Sequence, residues 1–263
     1  MNWENLTAPQ FAQAVKDTGG VCILPVGCIE KHGDHLPLGT DLFFGRDWSL
    51  RAAAIEPAIV FTSYPFGQIS EARHCPGTIA LDGTFQLQVL QAVCDEIARN
   101  GCKKIIIPIS HGGNGHMLRY FAQMQLDKRR DYVVYVHAPD FWPIHKELDE
   151  KFGKAEGSGH ADINESGFVL AYAPETVDMD AVNVEQSRPL LRMEHLHNAY
   201  TGLHWYGNYP HHFAGNPIGT TAERGAAWRD YFVDDLVKTI RSVKSDTVTA
   251  ALQAEFNDKA ESL

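Results

Sequence analysis

The chain has 263 residues, enough for one large α/β unit with a sizeable buried core. Its 33 acidic residues outnumber 23 basic ones, and a formal net charge of −10 argues against a nucleic-acid backbone or an anionic membrane surface as the main partner. A hydrophobic fraction of 44% excludes a disordered chain, and no apolar run approaches the ~20 residues of a membrane span.

Thr7 is placed to cap a first helix over Ala8–Asp17, which Gly19-Gly20 would end. The apolar run from Val21 to Val26 predicts a buried strand, and a helix is expected over Leu42–Ala54. Ala58 to Tyr64 reads as a second strand, stopped by Pro65, and a long loop follows from Phe66 to Gly83. Phe85, Val89, Leu90, Val93 and Ile97 have helical spacing, with Gly101 as the stop. Ile105–Ile109 predicts the next strand, Met117–Lys128 a helix and Tyr132–Val136 another strand. Alternating strands and helices point to a mainly parallel sheet covered on both faces. Glu165–Tyr172 and a long amphipathic stretch, Ala222–Phe256, are expected to be helical, while residues 176–220 show little periodicity. No repeat or linker is visible, so residues 1–263 are expected to form a single domain.

Three stretches concentrate groups that can do chemistry. The first follows the Val21 strand and holds Glu30, His32, His35 and Asp41 in one Gly- and Pro-broken loop. Carboxylates with imidazoles suit Zn²⁺, Mn²⁺ or Fe²⁺, and a carboxylate can bridge two ions ~3.5–4 Å apart. An acidic solvated loop with a structural histidine would have the same composition. The second is Ser110-His111-Gly112-Gly113-Asn114 after the Ile105 strand, a Gly-rich turn without GxGxxG or a Walker lysine. The third is His160-Ala161-Asp162-Ile163-Asn164-Glu165-Ser166, where His160 could equally be a surface residue beside a helix start. Thirteen histidines favour metal. Five cysteines with no CxxC pair fit a reducing, cytoplasmic setting, and no signal peptide is visible at Met1-Asn2-Trp3-Glu4.

The run Leu24-Pro25-Val26-Gly27-x-x-Glu30-x-His32-Gly33-x-His35-Leu36-Pro37-x-x-x-Asp41 resembles the first motif of the creatininase (creatinine amidohydrolase) family. Residues 110–114 resemble its Asn-Gly-His-Gly-Gly-Asn motif, with Ser110 in place of the glycine before His111. Residues 160–166 resemble its His-Ala-Gly-Glu-x-Glu-Thr-Ser segment, and Arg73-His74-Cys75-Pro76-Gly77-Thr78 resembles its His-x-Pro-Gly-Thr loop. The resemblance implies a three-layer α/β/α sandwich and two divalent metal ions (Zn, Mn or Fe). It implies Glu30 and His111 as ligands of the first ion, His32 of the second and Asp41 as the bridge.

Creatininases proper carry a second-metal glutamate two residues after the motif histidine; here that place is Gly113. Glu165 is therefore expected to supply the missing carboxylate. His160 is expected to act as general acid/base while a metal-activated hydroxide attacks an amide carbonyl. His35, His74, Gly113 and Asn114 are expected around the substrate pocket. The family's substrate-facing tryptophans have no counterpart in Ala138-Pro139-Asp140-Phe141 or Glu156-Gly157-Ser158-Gly159. The expected substrate is thus a small linear or cyclic amide other than creatinine. The alternatives are a cofactor-maturation peptidase and a non-catalytic metal- or ligand-binding protein on the same fold. Family members are commonly homo-oligomers, often hexamers. The cluster His204, Trp205, Tyr206, Tyr209, His211, His212 and Phe213 is left open between a pocket wall and a subunit contact.

Overall fold

The computed structural model describes residues 1–157 and 159–262. Four parallel strands lie in the order β2-β1-β3-β4: β1 (Val21–Ile23), β2 (Ile59–Val60), β3 (Lys104–Pro108) and β4 (Val133–His137). Cys22 pairs with Ile59 on one side and Ile105 on the other, and Ile106 pairs with Tyr135. Side chains alternate across the sheet, so each strand feeds two cores. Val21, Ile23 and Ile106 face α2 (Thr40–Ile55), α6 (Ile163–Tyr172) and α8 (Ala222–Ser245), packing with Trp48, Phe168, Leu236 and Ile240. Cys22, Leu24, Ile105 and Ile107 face α1 (Ala8–Asp17), α3 (Gly83–Arg99) and α4 (Asn114–Met124), packing with Ala14, Leu90, Ile97 and Phe121. The result is the expected three-layer α/β/α sandwich.

Local chemistry explains most element ends. Thr7 and Gln10 form a capping box at the start of α1, and Gly19 and Gly20 leave the helix with positive φ. Asp82 caps α3 through the Thr84 and Phe85 amides. The first two strands form shorter ladders than their apolar runs predicted. Pro25 has no N–H to donate, and beyond it only isolated bridges join Val26 to Tyr64 and Ile109.

One helical expectation needs correction. The stretch 222–256 is not one helix: the chain leaves α8 at Asp246, whose Oδ1 accepts from the Val248 and Thr249 amides and starts α9 (Val248–Glu261). Lys104 Nζ fixes this break by donating to the carbonyls of Val243, Lys244 and Asp246 at 2.8–2.9 Å. A further helix, α5 (Trp142–Phe152), was not anticipated, although Pro143 in its first turn is a start signal. The short α7 covers His204–Asn208. Among the described residues, no helix is long and apolar enough to cross a membrane.

Helices α6 and α8 are locked where they cross. Gly225 of α8 meets Gly167 of α6 so closely that a Cβ at 225 would lie 1.9 Å from the Gly167 carbonyl carbon. Next to it, the buried Arg224 guanidinium donates to Asn164 Oδ1 on α6, to Asp149 Oδ1 on α5 and to the carbonyl of Gly153, which caps the end of α5. These contacts fix the start of α6, the element that carries Glu165.

Candidate metal centre

The ends of β1 and β3 deliver their loops to the same place, where open α/β sheets keep their sites. Glu30 and His32 are fully buried in the loop after β1. The loop turns back through Gly33 (φ 61°), where an added Cβ would also strike the His35 ring at 2.7 Å. Asp41 sits in the first turn of α2, His111 follows β3, and His160 and Glu165 flank the start of α6.

Asp41 lies between two histidines. Its Oδ1 is 3.5 Å from His32 Nε2, and its Oδ2 is 3.1 Å from His111 Nδ1. Glu30 Oε1 is 2.8 Å from His111 Nδ1 and 4.0 Å from His32 Nε2. Glu165 Oε2 is 3.8 Å from His32 Nε2 and 4.0 Å from His160 Nδ1. Ligand atoms of Cys28, Glu30, Asp41 and His111 lie within 4.8 Å of one another, as do those of Glu30, His32 and His160 and those of His32, Asp41 and Glu165.

Two ring tautomers follow from carbonyl partners, which only accept. His111 Nε2–H donates to the Gln68 carbonyl at 2.8 Å, leaving Nδ1 toward Glu30 and Asp41. His160 Nε2–H donates to the Lys31 carbonyl at 2.8 Å, leaving Nδ1 on the Glu165 side.

The electrostatics show groups held against their solvation preference. Burial would raise Glu30, but His111 and His160 hold it well below the usual carboxylate range. Burial would lower His32, yet Asp41 and Glu30 lift it to about 10. Burial likewise opposes charge on His111, which the Glu30 and Asp41 carboxylates raise well above its ordinary value. Burial lifts Glu165 to about 8, and burial with the nearby His32 lowers His160 to about 3.

A divalent ion fits this donor set. Glu30 Oε1 and His32 Nε2 are buried without a hydrogen bond, the close His111–Glu30 approach lying off the hydrogen-bond direction. Buried polar atoms left so are costly, and a cation among them would satisfy both. Carboxylate and imidazole donors suit zinc, manganese or iron.

Beside the cluster opens a cavity of about 560 Å³, lined by Asp41, His111 and Glu165 together with Arg119, Trp142 and His145. The four residues expected around the substrate lie off this wall. His35 is buried and its Nε2 pairs with Ser166 Oγ at 3.0 Å, because the Gly33 turn folds it inward. Exposed His74 is tied by Nε2 to the Pro210 carbonyl. Asn114 is buried, accepting from the Gln68 amide and donating to the Val26 carbonyl, so it braces loops. Gly113 makes room for His111 and Gln68, whose atoms would lie 2.5–2.6 Å from an added Cβ. His160 also lies off the wall, packed against the rings of His32, His212 and Trp205.

Ser110 and Gly45 meet at the back of the site. Ser110 Oγ donates to the Val26 carbonyl at 2.8 Å, and a Cβ on Gly45 would lie 2.6 Å from the same Ser110 Oγ.

Sequence reasoning missed His212 and Trp205. His212 is buried with φ 52° and is hydrogen-bonded through Nε2 to Glu30 Oε2. Trp205 Nε1–H donates to its Nδ1 at 3.0 Å. The signal available was the aromatic–His cluster around them; of its other histidines, His211 is exposed and His204 is half-buried.

Comparison with known proteins agrees with this architecture. The chain is 26% identical over 195 residues to the creatinine amidohydrolase of Pseudomonas putida, covering 67% of this chain and 74% of that protein. It is 22% identical over 272 residues to the 3-dehydro-scyllo-inosose hydrolase of Thermotoga maritima, covering 92% and 83% respectively. A mutant creatininase solved as a Zn-Zn type superposes with a TM-score of 0.76 at 21% identity, covering 93% of this chain and 98% of that one. The family model for creatininase, described as creatinine amidohydrolase, matches residues 4–240, and the chain belongs to that family.

Proposed function

We propose that this protein is a metal-dependent amidohydrolase that cleaves a non-peptide C–N bond of a small molecule. Glu30 and His111 would hold one divalent ion and His32 and Glu165 a second, with Asp41 shared. The observation that carries this reading is the position of Asp41, one oxygen toward His32 and the other toward His111. Two ions in such a site supply Lewis acidity and an activated water near neutral pH. The chain's own part is to place donors, shape the cavity and move a proton. His160 is neutral, and the Lys31 carbonyl keeps its proton on Nε2. Its Nδ1 is weakly basic and faces Glu165 Oε2 at 4.0 Å, so any proton it passes toward the leaving nitrogen would go by way of Glu165, which lines the cavity.

A cavity of about 560 Å³ suits a small-molecule amide. Exposed Trp142 and Arg119 are part of its lining. Creatinine is not the proposed substrate. Cytoplasmic location and a homo-oligomer belong to the same reading.

One observation favours a narrower one. Glu165 Oε2 accepts from the Ala161 amide at 2.5 Å, as a helix-start residue does, so Glu165 could serve α6 alone and leave a single ion. Metal analysis of wild type and Glu165→Ala, followed by a screen of small amides including creatinine, separates the two. Two ions falling to one, with turnover of an amide other than creatinine, support the proposal. One ion in both proteins supports the narrower reading, and metal without any turnover supports a binding protein.

A further inference from the structure

Cys28 stands two residues before Glu30, fully buried, with Sγ 3.1 Å from Asp41 Oδ2. Its backbone bridges Phe66, and it packs on Ile69 and Ala72, so the thiol is aimed by fixed main chain. Among the cysteines of the described residues, only Cys28 belongs to a group of donors able to hold a metal ion; its partners are Glu30, Asp41 and His111. A cysteine serving only as a small apolar residue has no need to face two carboxylates and an imidazole. Zinc takes sulfur at about 2.3 Å and nitrogen or oxygen at about 2.0–2.2 Å, which puts neighbouring donors of one tetrahedral ion roughly 3.5 Å apart. The observed separations of 3.1 Å (Sγ to Asp41 Oδ2), 3.1 Å (Asp41 Oδ2 to His111 Nδ1) and 2.8 Å (His111 Nδ1 to Glu30 Oε1) need only small shifts to reach that. The orphaned Glu30 Oε1 lies in the same group.

We propose that Cys28 is a thiolate ligand of the first ion, completing a set of Cys28, Glu30, Asp41 and His111. The inference rests on the metal centre proposed above. Binding breaks the S–H bond as the sulfur–metal bond forms, and the proton leaves to solvent without any redox change. The sulfur makes this position favour zinc or ferrous iron over manganese. With four protein donors the first position is closed, so the open one lies with His32, Asp41 and Glu165.

The test is the absorption spectrum of the full-length protein loaded with Co²⁺, for wild type, Cys28→Ser and, as a control, Cys75→Ser. A near-ultraviolet thiolate-to-cobalt band in wild type and Cys75→Ser, absent from Cys28→Ser, is the expected result. Cys28→Ser should also move the zinc-over-manganese preference toward manganese by about tenfold or more. Zinc X-ray absorption on wild type alone decides the matter if the variant fails to fold, since it detects a sulfur at about 2.3 Å directly. Two bound cobalt ions with no thiolate band would overturn the role of Cys28 and keep the metal centre, leaving the thiol as a donor to Asp41. No cobalt bound at all would overturn both.

Discussion

His212 and Glu30, separated by 182 positions in the chain, meet through a buried hydrogen bond from the imidazole Nε2–H to the carboxylate Oε2. Trp205 donates to the opposite ring nitrogen and so fixes the tautomer that can donate to Glu30. The carboxylate is thus held by one oxygen while the other faces the cluster. His212→Ala should weaken metal binding on the order of 10–100-fold, the usual effect of losing a group that orients a ligand. Trp205→Phe should act in the same direction and less strongly, and His212→Asn should recover part of the loss. Chelator competition measures all three, and an unchanged affinity in His212→Ala would remove the positioning role.

Metal loading should release protons. In the metal-free centre His32 is held to about 10 and Glu165 to about 8, so at pH 7 each carries its acidic proton, and His111 is raised well above its ordinary value. A ligand must surrender it, so loading should release about one proton each from His32 and Glu165, with a further contribution from His111, which is raised in the same direction, and from Cys28 if it binds as thiolate. Rising pH removes the competing protons, so apparent affinity should climb from neutrality to about pH 10. Calorimetry in buffers of different ionisation enthalpy counts them; no release would contradict these three residues as ligands.

His137 makes a separate pH prediction. Burial lowers it to about 4, well under the ordinary 6.5, against the pull of Asp235 Oδ2 at 3.8 Å from Nε2, which makes no hydrogen bond; Thr239 Oγ1 lies 2.9 Å from Nδ1. The folded state therefore binds fewer protons than the unfolded chain between these values. The corresponding stability is complete above pH 6.5 and is lost as pH falls toward 4, by on the order of 3 kcal/mol. Denaturation of the metal-free protein across this range should show the loss, and His137→Gln should flatten part of the slope. An identical slope in the variant would clear His137 of the effect.

The α6–α8 crossing predicts a backbone effect. A methyl at Gly225 cannot enter without parting the helices. Gly225→Ala should cost about 2–3 kcal/mol or more, read as a lower denaturation midpoint. Because α6 carries Glu165, its metal content should fall too. A variant as stable as wild type would mean the crossing relaxes freely.

The legible parts of the sequence were those written locally. The first helix, its Thr7 cap and its Gly19-Gly20 stop follow from neighbouring residues, and so does the alternation that makes a parallel sheet. Glu30, His32 and Asp41 could be grouped because they share one loop. Glu165 could be brought to them only through the family resemblance and the gap at Gly113. The boundary at Asp246 was hidden because it depends on Lys104, far away in sequence, gathering carbonyls at the end of α8. His212 was hidden for the same reason: its partner lies on the first loop and its positive φ has no glycine to announce it. His35 turns to Ser166 and His74 to the Pro210 carbonyl rather than onto the cavity wall, because motif membership does not say which way a ring turns.

The contact between Ser110 and Gly45 has a consequence for the width of the metal centre. Ser110 adjoins His111, and Gly45 lies one helical turn after Asp41, so this pair is a spacer between the two elements that carry those donors. Bulk added at 45 would push α2 outward and draw Asp41 from His111. A glycine at 110, as in the related motif, would thin the spacer and invite α2 to settle inward. The gauge of the centre is thus set by two residues that touch no metal, and exchanging the motif at 110 without its counterpart at 45 would change it.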